Sequence, residues 1–179
     1  EDEAAFYGPK LDFMFEDAIG REWQLATIQL DFNSPERFEL EFVNEEGAKE
    51  RPVVIHRAIS GALERFMAVF IEHTAGAFPV WMAPVQIDVI CVSATFEDYA
   101  RNVASQLEAA GFRVQVLEPE NSLSKNVRLS ETKKVPVKLI LGEKEMQNCG
   151  VTVRRYGQSE QVEMSLDDFA KQIVSETKI

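Results

Sequence analysis

A histidine and an arginine stand nine residues apart in RPVVIHRAISGALERFMAVFIEH, residues 51–73, a stretch otherwise rich in Val, Ile, Ala and Phe. Imidazole offers a base or a metal ligand near neutral pH, and guanidinium both stacks on flat rings and forks onto phosphate. His56 ends an apolar strand pattern, while Ile59, Ala62, Leu63, Phe66 and Phe70 recur at helical spacing and predict a helix from about residue 58 to 73. Helical side chains lean back over the preceding turn, so Arg65 is expected to lie over Gly61 and Ala62. A glycine there leaves a slot in which a ring or a phosphate would meet the cation. The plainer alternative is that Gly61 permits close helix–sheet packing, Arg65 pairs with a carboxylate and His56 is a hydrogen-bonded strand residue. Upstream, Gln24 and Gln29 lie five apart on REWQLATIQLDF, which turns them to opposite faces of a regular strand. Serving one pocket would require a bulge or bend between them.

Other chemistries are excluded by pattern. The chain has neither a GxxxxGK[ST] loop nor GxGxxG. His56, His73, Cys91 and Cys149 match no structural zinc spacing, and no nucleophile elbow stands near either histidine. The two cysteines make no CxxC pair and are too few for a disulfide framework.

The elements that must position these residues divide into two styles. KLDFMFED (10–17) alternates as a half-buried strand, Ile19-Gly20 turns, and REWQLATIQLDF (21–32) returns as its hairpin partner. Pro35 stops the ladder before a further extended piece, residues 44–52 form a polar loop, and PVVIHRA is a short strand leading into the helix. Short loops between strands indicate an antiparallel sheet, hence an α+β unit over residues 1–83. From residue 84 the rhythm becomes strand–helix: VQIDVICVSA, then FEDYARNVASQLEAAGF closed by Gly111, RVQVLEP, and a helix over SLSKNVRLSETKK. VPVKLILG and VTVRRYG follow as strands, and a last helix is capped by Ser165. Residues 84–179 therefore predict an α/β unit with a mainly parallel sheet.

The 179 residues are 45% hydrophobic and 27% charged, as in ordinary globular chains, and no run approaches the length of a membrane span. The acidic start EDEAAFYGPK does not resemble a signal peptide, so a cytoplasmic chain is expected, and one that reads as a piece of something longer. The net charge of −11 is uneven. Residues 125–155 carry eight bases against three acids, the one candidate footprint for a polyanion, although such clusters are commonly just solvated faces.

AFYGPKLDFMFEDAIGREWQLATIQLDFNSPERFELEFV, then VVIHRAISGALERF and FPVWMAPVQ, together resemble the threonyl-tRNA synthetase family over essentially the whole chain. The resemblance implies that residues 1–83 are the end of a class II catalytic core, with GALERF as its third signature motif, and that residues 84–179 are an anticodon-binding domain. It implies threonine–tRNA ligase chemistry: ATP and threonine give the adenylate with Mg2+ assisting, and the threonyl group passes to the 3′ end of tRNA(Thr). By the same resemblance His56 is one of three ligands to a catalytic Zn2+ that selects the threonine hydroxyl, and Arg65 stacks on ATP. Lys10 and Gln29 join Arg65 as catalytic positions, Tyr7, Gln24, Thr27, Gly61 and Ala62 line the threonine and adenylate pocket, and Arg128, Glu145, Arg154 and Arg155 face the anticodon. The family is homodimeric and does not act in membranes.

Departures are visible too. Leu25-Ala26 replace a frequent Cys-Gly, Ala62 replaces a frequent Ser, and Pro119, Asn121 and Asn126 replace residues usually Arg, Glu and Lys. The first two signature motifs and the other two zinc ligands are not in these residues, so the chain alone is expected neither to activate threonine nor to hold zinc tightly. The competing reading is a non-catalytic anticodon-domain module that binds RNA or acts as an interaction partner.

Overall fold

The computed structural model describes residues 5–177, and its packing divides the chain into Glu1–Ala75 and Gly76–Ile179.

In the first unit, β1 (Lys10–Glu16) and β2 (Glu22–Asp31) form the expected antiparallel hairpin, and β5 (Val54–Ala58) pairs antiparallel with the far edge of β2. Its turn is built by Asp17, whose carboxylate accepts the Ile19 and Arg21 backbone N–H groups. The segment after β2 is not simply extended: α1 (Asn33–Arg37) is one short helical stretch, followed by a small hairpin of β3 (Phe42–Val43) and β4 (Lys49–Glu50). Asp31 explains α1, because its carboxylate accepts the N–H groups of Asn33 and Ser34 and the Ser34 hydroxyl at 2.9, 2.9 and 2.5 Å. An acceptor just before a helix start satisfies donors that the first turn leaves orphaned. Helix α2 (Leu63–Thr74) starts five residues later than its apolar spacing suggests, since Ala58 still belongs to β5 and Gly61 adopts φ +65°. Leu11, Phe13 and Ile55, with Ile59 and Leu63, stay largely exposed in this unit.

The second unit holds the hydrophobic core. Its elements are β6 (Ile87–Cys91), α3 (Glu97–Ala109), β7 (Val114–Val116), α4 (Leu123–Thr132), β8 (Val137–Leu141), α5 (Glu143–Gln147), β9 (Gly150–Arg155), β10 (Gln161–Ser165) and α6 (Leu166–Thr177). The sheet order is β10-β9-β8-β6-β7. Strands β7, β6 and β8 pair in parallel, but β9 is antiparallel to both its neighbours, β8 and β10, so the sheet is mixed rather than mainly parallel. Strand β10 has no counterpart in the sequence expectation: its alternating QVEMS lies on an edge with Gln161, Val162 and Glu163 exposed, too little apolar content to announce a strand. Every residue of β6 and β8 is buried, as expected of strands covered on both faces. Ile87, Val89, Val103, Leu107, Leu139, Leu141, Phe169 and Ile173 form the center of the core. Ala110 rather than Gly111 occupies the C-cap of α3, and Gly111 follows it at φ +92°. Ser165 does cap α6, accepting the Asp168 N–H at 3.1 Å. Among the described residues no helix is long and apolar enough to cross a membrane.

Candidate functional site

The pairing of β1 with β2 decides which side chains meet. Lys10 lies opposite Gln29 and Asp12 opposite Thr27, but the register then slips, so that Phe13 faces Ala26 and Met14 faces Gln24. Leu25 is the unmatched residue, a β-bulge on β2. One extra residue converts the odd spacing of Gln24 and Gln29 into an even one, and both now point to the same face. On the other side of β2, Gln29 pairs with His56. Residues directly opposite in a ladder share a face, which assembles Lys10, Asp12, Gln24, Thr27, Gln29 and His56 on one surface of the three-stranded sheet.

Two aspartates organise that surface. Asp12 accepts Gln24 Nε2 and Thr27 Oγ1, both at 2.7 Å, and pairs with Lys10 Nζ at 2.8 Å. Those donors, Lys10 foremost, hold its carboxyl below the usual carboxylate range. Asp31, buried, binds His56 Nε2 at 2.8 Å besides its three contacts to Asn33 and Ser34. The Ser34 hydroxyl and N–H, then His56, keep it ionised well below the ordinary range. Tyr7 closes the group: its hydroxyl donates to Gln29 Oε1 at 3.0 Å, and its ring meets His56 edge-on with centroids 6.4 Å apart. A cavity of about 310 Å³ opens here, lined by Tyr7, Asp31, Asn33, Ser34, Arg37 and Phe38 with Phe6.

Neither aspartate stands among the site residues expected from sequence. The available signal was alternation: Asp12 falls two residues after Lys10, and Asp31 two after Gln29, on the same strand faces.

Arg65, exposed, donates Nη1 to the Gln24 carbonyl at 3.0 Å, so it reaches the strand that carries the cluster. The expected slot over Gly61 does not exist. A Cβ built there would lie 2.0 Å from the Leu25 carbonyl oxygen, because the chain packs directly against the bulge. Gly61 thus serves close backbone approach, and Ala62 is the extended N-cap residue of α2.

The basic segment of the second unit separates into three places. Arg128 on α4 and Arg154 on β9 line one groove of about 470 Å³, together with Glu131, Ser124, Ile140 and Gln161. Glu145 lies elsewhere, accepting the Thr152 hydroxyl at 2.7 Å and the Gly142 N–H at 2.9 Å beside a smaller cavity. Arg155 forks onto Glu176 of α6 at 2.8 and 2.6 Å. Lys138, wholly buried within the apolar VKLIL of β8, was not anticipated, although a lysine inside a five-residue buried strand is itself a signal.

For a metal, His56 contributes one donor, with Nε2 engaged by Asp31, the carboxylate–histidine arrangement that orients metal-bound imidazoles. Among the described residues no three His, Cys, Asp or Glu side chains converge as a metal set, so these residues by themselves do not make a zinc site.

Comparison with known proteins agrees with this division. Residues 86–176 match the family described as "Anticodon binding domain", and residues 1–74 match "tRNA synthetase class II core domain (G, H, P, S and T)". A threonine–tRNA ligase of Phocaeicola vulgatus is 48% identical over 174 residues, and one of Porphyromonas gingivalis is 50% identical over 174 residues. Each alignment covers 97% of this chain and 27% of the relative, so the chain spans about a quarter of the length of the curated relatives it matches. The solved RNA binding domain of threonyl-tRNA synthetase from Cryptosporidium parvum superposes with a TM-score of 0.90 at 38% identity, covering 97% of this chain and 44% of that one. The chain belongs to the threonyl-tRNA synthetase family of class II aminoacyl-tRNA synthetases.

Proposed function

We propose that the chain supplies two parts of a threonine–tRNA ligase: one wall of the aminoacylation site and the surface that holds the tRNA anticodon. The observation that carries this reading is the bulge at Leu25, which turns Gln24, Thr27 and Gln29 to the face shared by Lys10 and His56. Such a convergence of amide, hydroxyl, ammonium and imidazole groups suits a small polar amino acid bearing a hydroxyl and an ammonium. A site built to bond a hydroxyl rejects the analogue lacking it, since its own polar groups are then left unpaired. In this role Lys10, Gln29 and Arg65 orient the reactants, Tyr7, Gln24, Thr27, Gly61 and Ala62 shape the pocket, and His56 gives zinc one of its ligands. Zinc, when bound with donors from outside these residues, supplies Lewis acidity toward the substrate amine and hydroxyl. ATP and Mg2+ belong to the same proposal, as do a cytoplasmic setting, a homodimer in chains of the relatives' length, and a functional division near residues 83/84.

In this reading the 179-residue chain binds RNA but does not activate threonine. Arg128 and Arg154, facing one groove, carry the RNA contact. Arg155, engaged by Glu176, and Glu145, engaged by Thr152, contribute mainly by holding the domain. The test pairs threonine-dependent ATP–pyrophosphate exchange with binding of a threonine-accepting tRNA transcript. The expected result is no exchange, salt-dependent binding, and a loss on Arg128→Glu/Arg154→Glu of roughly 100-fold. Exchange at the rate of the longer relatives, or binding indifferent to the double reversal, refutes it. A free-standing RNA-binding module is favoured by one observation, the gathering of the hydrophobic core cluster in the second unit. It predicts that His56→Ala in a chain of the relatives' length leaves exchange unchanged, where the ligase reading predicts its loss.

A further inference from the structure

A buried cation lies beneath the groove of the second unit. Lys138 on β8 is completely enclosed, yet its Nζ approaches Glu131 Oε1 at 3.1 Å and sits 5.7 Å from the centre of the Tyr156 ring. The same Glu131 oxygen is 3.7 Å from Arg154 Nη2, while Glu131 Oε2 accepts the Gly157 N–H at 3.4 Å. One carboxylate at the groove wall is therefore shared between a cation below it and a cation beside it. Asp88, opposite Lys138 in the β6–β8 ladder, is also fully buried. Neither of its oxygens makes a hydrogen bond of good geometry, nor do Lys138 Nζ and Glu131 Oε1, although Ser130, Lys133 and Lys138 itself lie near enough to Asp88 to favour its ionised form. Burial outweighs them and pushes the Asp88 carboxyl up, which leaves Glu131 as the firmer partner of Lys138.

We propose that Lys138 is a positioning residue for RNA binding: it neutralises Glu131 from below, and so leaves Arg154 available to a phosphate in the groove. The inference rests on the groove being an RNA surface. Of the ionised groups lining that groove, Arg128 and Arg154 are opposed by Glu131. With nothing beneath it, Glu131 would close onto Arg154 and cancel that charge, and it would repel an approaching phosphate. Lys138 occupies the near position, away from solvent, where its attraction is least screened. Arg154 keeps the longer contact and is steadied instead by donating Nε to the Gln158 carbonyl at 3.1 Å. Lys138 touches no RNA itself. It acts through Glu131.

The test measures binding of a threonine-accepting tRNA transcript to the 179-residue chain between about 50 and 300 mM salt, with folding followed by thermal unfolding. Lys138→Met is expected to weaken binding about tenfold at low salt and to reduce the slope of log K against log[salt] by about 0.7, the value for one lost phosphate contact on a single strand. Glu131→Gln is expected to tighten binding about threefold. The double variant Lys138→Met/Glu131→Gln should recover the wild-type slope. A merely structural lysine would give equal slopes in the single and double methionine variants, because both lack the buried ammonium. Lys138→Met with the wild-type slope, or a double variant that fails to recover it, overturns the inference. Should Lys138→Met not fold, Glu131→Gln decides alone, and weaker binding in that variant refutes it. Absence of salt-dependent binding by the wild-type chain overturns the RNA reading, and this inference falls with it.

Discussion

Gly61 offers a sharp quantitative test of how the first unit is built. Its φ of +65° already disfavours any other residue, and an added Cβ would stand 2.0 Å from the Leu25 carbonyl oxygen. Gly47 has a similar φ of +79° with nothing within 4 Å, so it isolates the backbone penalty from the collision. An L-residue in the left-handed region costs about 1–2 kcal/mol, of which about 0.4–1 kcal/mol is returned through the less flexible unfolded chain. Gly47→Ala should therefore destabilise by about 1.6 kcal/mol at most. Gly61→Ala adds a contact more than about 1 Å inside ordinary C···O separation. No rotamer relieves it, because both atoms belong to backbone or are fixed to it, and overpacking of this kind costs about 1–3 kcal/mol. Urea unfolding reads the outcome through Trp23, which belongs to β2 and donates its indole N–H to Asp17, in a Trp81→Phe background that silences the second unit. The difference between the two alanine variants should be about 1–3 kcal/mol. A difference below about 0.5 kcal/mol means that α2 does not start against the bulge, and the account of the site given above fails with it.

Two further predictions concern the second unit. Burial raises the Asp88 carboxyl above its unfolded value near 3.9, so the folded state favours the protonated form: stability is undiminished below pH 4 and declines as pH rises through the folded value. Asp88→Asn removes that decline, and its Tm relative to wild type should be more favourable at pH 8 than at pH 4; an equal difference at both pH values contradicts the assignment. Phe169, fully buried at the base of α6, should cost about 3–5 kcal/mol on truncation to alanine, read by Trp81 fluorescence in urea, and a loss under about 1 kcal/mol would place it outside the core.

How much of this was legible beforehand varies with the reach of the interaction. Local patterns were read well: the alternation of KLDFMFE, the turn at Gly20, and the Ser165 cap are decided by residues within four positions of one another. The need for a bulge was also legible, since the odd spacing of Gln24 and Gln29 demands one, though nothing named Leu25 as the extra residue. Non-local arrangements were not. Asp31 has partners at its own strand end and at His56, 25 residues away, and its importance depends on the pairing of β2 with β5. The slot expected over Gly61 is absent for the same reason: helical spacing carries no sign that the chain there turns against a strand some 36 positions earlier. Lys138 and Glu131 lie close only because α4 lies against the sheet that contains β8. The parallel expectation missed the direction of β9 because direction is set by connection length: residues 142–149 are too short for a parallel crossover from β8, and the turn at Gly157 then reverses the chain into β10.

The extra residue at Leu25 has a consequence for how this segment tolerates change. A strand has a parity, with odd and even positions belonging to different worlds, and Leu25 is where parity is exchanged. What the site requires is matching parity, met either by an odd spacing with one extra residue or by an even spacing with none. Substitution at position 25 spares the phase between Gln24 and Gln29, and so does deletion of Leu25, because the two are then four apart and a regular strand turns them to one face without a bulge. Sequence drift at position 25 is thus compatible with an unchanged face, and what a deletion there removes is the Leu25 carbonyl against which Gly61 packs.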